Sequence, residues 1–139
     1  MYFQNLYILN SKGKFLYTHK NSQERDHNKT LNVLSTLERL ANKLGGNMRA
    51  AEIGRHKYYE TSDALTGFQL ILKVEKDVRD GFINRFLKSI KEIFLTLSTK
   101  HHVLKDEKNA KMWKAFREKV NQLIEESTND QVDDFLSLV

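Results

Sequence analysis

Five histidines and no cysteine bound the side-chain chemistry open to this chain. His101 and His102 are adjacent. Neighbours on a helix point about 100° apart, a poor arrangement for one metal ion. At a helix end they would instead meet the terminal carbonyls. His19, His27 and His56 have no cysteine and no regularly spaced carboxylate beside them, so no metal site is expected. The absence of Cys removes disulfides, thiolate ligands, cysteine nucleophiles and S-acylation together. Ser, His and Asp are present, but no serine sits in a G-x-S-x-G elbow. The glycines match neither of the phosphate-cradling patterns G-x-x-x-x-G-K-[ST] and G-x-G-x-x-G. Gly13-Lys14 reads as a turn and Gly45-Gly46 as a helix stop. Asp130, Asp133 and Asp134 form an acidic tail without the spacing of a calcium loop. The expectation is a protein that is not an enzyme and carries no cofactor.

Composition places that expectation in one domain. The 139 residues suit a single core, and 40% of them are hydrophobic, although the mean hydropathy of −0.59 is polar. No apolar run approaches the ~20 residues that span a bilayer. The start, MYFQNLYILNSKG, lacks the basic region and cleavage site of a signal peptide. A cytoplasmic protein is expected, in which the sequon Asn28-Lys29-Thr30 is a chance match. The net charge of +5 raises the question of nucleic acid. Lys100, Lys105, Lys108, Lys111, Lys114, Arg117 and Lys119 cluster around the last helix, as a phosphate-binding surface requires. Asp106, Glu107 and Glu118 dilute the cluster, Lys114 and Glu118 are spaced as an i,i+4 pair, and no aromatic residues are interleaved on one face. A solvated helix face is the preferred reading, ahead of an acidic protein or membrane surface and of nucleic acid.

Hydrophobic periodicity supplies the elements that would position these residues. Tyr2 to about His19 reads as a β-hairpin with a turn at Ser11-Lys12-Gly13-Lys14. Asn28 to Leu44 reads as a helix, with Val33, Leu37, Leu40 and Leu44 on one stripe widened by Leu34 and Ala41. A three-strand meander follows over Met48 to Glu75, broken near Gly54-Arg55 and at Ser62 to Gly67. Its last strand, Phe68 to Val74, is apolar enough to be central and covered on both faces. A second helix spans Val78 to Lys100, capped by Asp77, with Phe82, Ile83, Phe86, Leu87, Ile90, Ile93, Phe94 and Leu97 on its apolar stripe. A third spans Glu107 to Glu126, capped by Asp106, with Trp113, Phe116, Val120 and Leu123 on one face. The predicted class is α+β, with residues 1–126 as one domain and 127–139 as a loosely docked acidic and apolar tail. That tail ends in Ser137-Leu138-Val139, the form of a peptide read by PDZ-type domains.

Three segments carry a family resemblance. NLYILNSKG (Asn5 to Gly13) resembles the opening strand and turn of the small subunits of the TRAPP tethering complex. TLNVLSTLERLANKLGG (Thr30 to Gly46) is similar to their first helix. RHKYYETSDALTGFQLIL (Arg55 to Leu72) resembles their Lys- and Tyr-rich hairpin. The likeness runs over residues 1–104 in the right order, nearest the sedlin-like branch; the third helix and tail match nothing in the pattern.

The resemblance implies a longin, or SNARE-like, fold with a five-stranded antiparallel sheet and helices on both faces. It implies a scaffold in vesicle tethering between ER and Golgi, peripherally membrane-associated, whose partners are other longin subunits. A Rab GTPase would be met only through the assembly, where nucleotide exchange resides. The residues that could form a shared surface are Leu37, Arg39, Leu40, Lys43 and Leu44 on the first helix, and Tyr58 and Tyr59 on the meander. Tyr suits a surface that is apolar yet wet; ordinary core packing is the competing reading for Leu37 and Leu44. Other readings are a different longin-type protein, such as an adaptor small chain or the N-terminal domain of the signal-recognition-particle receptor, and a small basic nucleic-acid-binding domain.

Overall fold

The computed structural model of the chain describes residues 3–20, 42–45, 48–64, 66–101 and 107–137. Six strands and two helices follow in order: β1 (Phe3–Leu9), β2 (Phe15–Lys20), β3 (Asn42–Gly45), β4 (Met48–Ile53), β5 (His56–Ser62), β6 (Gln69–Glu75), α1 (Asp80–Lys100) and α2 (Ala110–Ser137). The strands form one sheet in the order β2-β1-β6-β5-β4-β3, and every pairing is antiparallel. The protein is α+β. The Cα trace groups into two compact units, one ending at Leu87 and the other beginning at Lys88; the boundary falls inside continuous helix α1.

β6 is central, paired with β1 on one side and β5 on the other. Its residues Leu70 to Val74 are all buried, Lys73 among them, so the strand is covered on both faces, as its apolar run predicts. Side chains alternate across a strand, and the registers sort the sheet into two faces. One carries Asn5, Tyr7, Tyr58, Glu60, Ile71 and Lys73. There Tyr7, Leu9, Tyr58 and Ile71 form a cluster flanked by Phe15, Ala51 and Ile53. The other face carries Leu6, Ile8, Tyr59, Leu70, Leu72 and Val74, all fully buried.

Asparagine and aspartate organise the loops at one end of the sheet. Asn10 Oδ1 accepts from the Lys12 and Lys14 amides at 3.0 and 2.9 Å, closing the β1–β2 turn. Asp63 Oδ2 accepts from the Thr66 amide at 2.8 Å and its hydroxyl at 2.7 Å, shaping the β5–β6 loop. Such side chains mimic backbone turns and fix them locally. Gly67 in that loop has φ +73, and a Cβ there would lie 2.9 Å from Ser11 Cβ. At the other end, Ile53 pairs with His56, so Gly54-Arg55 is a two-residue hairpin. Gly54 has φ +63, as such tight turns require.

Several expectations are corrected. The five strands expected, β1, β2, β4, β5 and β6, form the antiparallel sheet, and the four-residue β3 adds a sixth at its edge. Residues 28–41 of the expected first helix lie outside the described residues, and 42–45 form strand β3. Lys43, Leu44 and Gly45 are therefore on a sheet edge, and Gly45 is no helix stop. Asn42-Lys43-Leu44-Gly45 holds one apolar residue, so its pattern fits either period; pairing with β4 decides it. Helix α1 begins at Asp80, and the Arg79 carbonyl accepts its first bond, from the Ile83 amide at 3.2 Å. Asp77 lies outside that first turn and does not cap it. Helix α2 runs on to Ser137, so residues 127–137 continue the helix rather than forming a separate tail.

In the unit beginning at Lys88, one asparagine bonds to the end of α1 and to the start of α2. Asn109, not Asp106, caps α2, with Oδ1 accepting from the Met112 amide at 3.1 Å; Asp106 lies outside the described residues. The Asn109 side-chain Nδ2 also donates to the His101 carbonyl at 3.2 Å, tying the end of α1 to the start of α2. Phe94, Trp113 and Phe116 pack with centroids 6.0 to 6.2 Å apart. Met112, Phe116, Val120 and Ile124 are buried, while Trp113 and Leu123 are half-buried, so the apolar face is turned slightly from the expected one.

Two substitutions test this architecture. Ile71→Asp sets an unpaired charge among Tyr7, Leu9 and Tyr58 and should cost several kcal/mol, about 3 or more; a urea midpoint close to the parent's would refute the central placement of β6. Gly67→Ala combines a left-handed backbone with a close approach to Ser11 and should lower stability by about 1–3 kcal/mol, read by thermal unfolding.

Candidate partner interface

The residues singled out as a partner surface divide between two parts of the sheet. Tyr58 and Tyr59 are neighbours on β5 and face opposite sides, and both are buried, 5% and 0% exposed. Tyr58 belongs to the cluster with Tyr7, Leu9 and Ile71, and Lys73 Nζ lies 6.0 Å from its ring centroid. Within the chain, then, both rings are enclosed rather than displayed. Leu37, Arg39 and Leu40 lie outside the described residues. Lys43 and Leu44 are on β3, the last strand of the sheet. Lys43 aligns with Arg49 and Arg49 with Glu60, so Lys43 stands two strands from Tyr58 and Tyr59. Arg49 Nε donates to Glu60 Oε2 at 2.7 Å, and the Glu60 side chain is 3% exposed. A carboxylate so enclosed needs a cation with good geometry, and Arg49 provides it.

Tyr59 has a second role that the sequence conceals. Its hydroxyl donates to Asp80 Oδ1, and Lys57 Nζ donates to the same oxygen. Lys57 and Tyr59 are two residues apart on β5, so both project to one face, and Lys57 Nζ lies 5.4 Å from the Tyr59 ring centroid. One carboxylate on the first turn of α1 is thereby tied to the middle of the sheet. An acid is also favoured there by the helix dipole. The bonds from Lys57 and Tyr59 hold the Asp80 carboxyl below its usual range. Burial, then the bond to Asp80, pushes the Tyr59 phenol above the ordinary tyrosine range. No periodicity reveals a contact across more than 20 residues of sequence.

Among the described residues the sheet ends at two outer strands. β2 and β3 are its outer strands, and among the described residues nothing pairs beyond either. Outer strands offer unpaired backbone groups to a partner. The edge at β3 was missed in the sequence, although Gly46-Asn47, between Gly45 and Met48, is a dipeptide common in two-residue hairpins.

Other sequence candidates are dispersed. His19 is buried on β2, with Nδ1 2.6 Å from the Tyr17 hydroxyl; His56 is on β5, and His27 and His102 lie outside the described residues. Lys108, just before α2, and Lys111, Lys114, Arg117 and Lys119 along its start are exposed. Lys114 and Glu118 are exposed one turn apart but form no ion pair with each other. Among the described residues no group of three or more His, Asp or Glu could hold a metal ion, and no helix is long and apolar enough to cross a membrane. The geometry defines an α+β fold whose sheet, among the described residues, ends at β2 on one side and β3 on the other. No family model and no curated protein sequence matches this chain.

The Asp80 knot sets a pH dependence. Its carboxyl pKa is lower folded than unfolded, so its contribution is complete above the unfolded value, about 4, and is lost as pH falls through the folded value. Because Asp80 is half exposed, that contribution should stay near or below about 1 kcal/mol. Asp80→Asn should therefore flatten the acid limb of a stability–pH curve measured by urea unfolding. On the alkaline side the raised Tyr59 phenol favours folding below pH ~10 and ceases to do so above it; Tyr59→Phe should remove that limb. Unchanged curves for both variants would dismiss the knot.

Proposed function

We propose that this chain is a non-catalytic subunit of a vesicle-tethering assembly of the TRAPP type, with a longin-like fold, acting peripherally at ER and Golgi membranes. The observation that carries the reading is the sheet order. The β1–β2 hairpin is set beside the last strand of the β4–β5–β6 meander, and a long helix follows directly. That arrangement agrees with the resemblance of the segments at Asn5 to Gly13 and Arg55 to Leu72. β2 and β3, the outer strands among the described residues, would give such a subunit places to join neighbours. In this role the chain contributes surface to a composite site. A Rab GTPase is bound across several subunits, and exchange belongs to the assembly.

Purification of the tagged full-length chain from cell extract, with its companions identified by mass spectrometry, should recover other longin-like subunits. Arg39→Glu with Lys43→Glu should reduce that recovery without lowering the thermal midpoint. The purified chain alone should leave the rate of fluorescent GDP release from Rab proteins at the blank value. Unaided acceleration would make it an exchange factor in its own right and end the scaffold reading. Steep salt-dependent binding to generic DNA or RNA, with no subunit recovered, would favour the nucleic-acid reading instead.

A further inference from the structure

Lysine gathers where α1 ends and α2 begins. From Lys100 to Lys119, seven of 20 residues are basic and three acidic, whereas the other 119 residues hold 16 basic ones. The fold brings four of the seven to one place. The Asn109 side chain bonds to the His101 carbonyl, and Lys100 and Lys108 each adjoin one partner of that bond in sequence. Lys111 and Lys114 follow in the first two turns of α2, about 3 and 8 Å along its axis from Asn109. All four are exposed. That spread is within the ~8 Å screening length of physiological salt, so the four act as one field. Among the described residues Lys100, Lys111 and Lys114 form no ion pair. The local acids do not cancel the field. Glu107 is half-buried, the first turn of α2 has no acid, and Glu118 stands between Arg117 and Lys119.

We propose that this junction is a docking surface for an anionic lipid bilayer, with Lys100, Lys108, Lys111 and Lys114 set against the headgroups. Residue type separates this occupant from the other polyanions. Six of the seven cations are Lys. Lys is a compact charge on a flexible stem, suited to a fluid leaflet that offers no fixed geometry, whereas the planar fork of Arg suits nucleic acid. Single strands also require aromatic rings on which bases stack. Here Phe116 is buried, and Trp113 is held against Phe94 and Phe116 with its Nε1 donating to the Glu107 carbonyl at 2.7 Å. An acidic protein would be anchored by apolar side chains at the centre of its interface. Between the exposed lysines of α2 the exposed surface offers none, since Met112 is buried and Trp113 half-buried. The proposal deepens the membrane association of the tethering reading and rests on that reading for its place in the cell.

Vesicle sedimentation of the purified chain tests it. In low salt the chain should pellet with vesicles of phosphatidylcholine and phosphatidylserine, and not with phosphatidylcholine alone. Binding should vanish near 1 M salt, where the screening length shrinks to about 3 Å. Each Lys near an anionic leaflet strengthens binding about fivefold, so Lys111→Ala with Lys114→Ala should weaken it roughly 30-fold. Ala is the best helix former, and the helix content in circular dichroism should be unchanged. Lys111→Arg with Lys114→Arg keeps the charge and should bind like the parent, which a merely structural role for the two lysines does not require. Lys100→Ala with Lys108→Ala lies outside α2 and should give a similar loss, so the surface is tested even if the first pair unfolds. The proposal is overturned by a chain that ignores anionic vesicles, binds neutral ones equally well or is indifferent to both Ala pairs. Release from the vesicles by generic duplex DNA at equal phosphate, with the DNA then held through the same lysines, would overturn it in favour of nucleic acid. Vesicle binding without recovery of longin-like subunits would sink the tethering reading alone. Recovery of subunits without vesicle binding would sink this proposal alone.

Discussion

The burial of β6 on both faces is the constraint on which the sheet depends. A strand with Leu70 to Val74 all enclosed must be paired on each side, since unbonded backbone groups in such a place are costly. β1 and β5 meet that need, and their own alternation then fixes which residues share each face. The two faces differ in chemistry. The Tyr59 side is mostly Leu, Ile and Val, with the bonds of Lys57 and Tyr59 to Asp80 as its polar tie. The Tyr58 side mixes its apolar cluster with buried Asn5, Glu60 and Lys73. Polar groups enclosed in this way tolerate few alternative pairings, because a shifted register would strand them.

Strong periodic signals were legible in the sequence, and local ambiguities and long-range contacts were not. The β1–β2 hairpin, the central position of β6 and both helices were readable because their patterns are long and their turn residues explicit. β3 was not, because four residues with a single apolar side chain have no period of their own. The caps were misassigned by two or three residues, from Asp77 to the Arg79 carbonyl and from Asp106 to Asn109. Several polar residues precede each helix, and only the geometry selects among them. Helix α2 was cut short at Glu126 because its amphipathic stripe ends near Ser127, whereas the backbone continues to Ser137.

The candidate interface was legible only in part. Tyr58 and Tyr59 stand out by residue type, but composition does not show that their own chain encloses them. The tie from Tyr59 to Asp80 joins strand to helix across the fold, and each partner alone looks ordinary in sequence. Lys43 and Leu44 fall on the outer strand β3 for a reason unrelated to the helical stripe that first drew attention to them.

The placement of β1 beside β6 has a consequence for how the chain is made. Sixty residues separate Leu9 from Gln69. At about 5–20 residues per second, a ribosome needs roughly 3–12 s to pass from one to the other. Throughout that interval the β1–β2 hairpin can form by itself, but its inner edge has no partner, and an isolated hairpin is marginally stable at best in water. The nascent chain therefore waits with Leu6, Ile8 and Tyr7 unsheltered until the meander emerges. A chaperone that shields short apolar strands near the ribosomal exit would act on this protein in that window, before the sheet can close around β6.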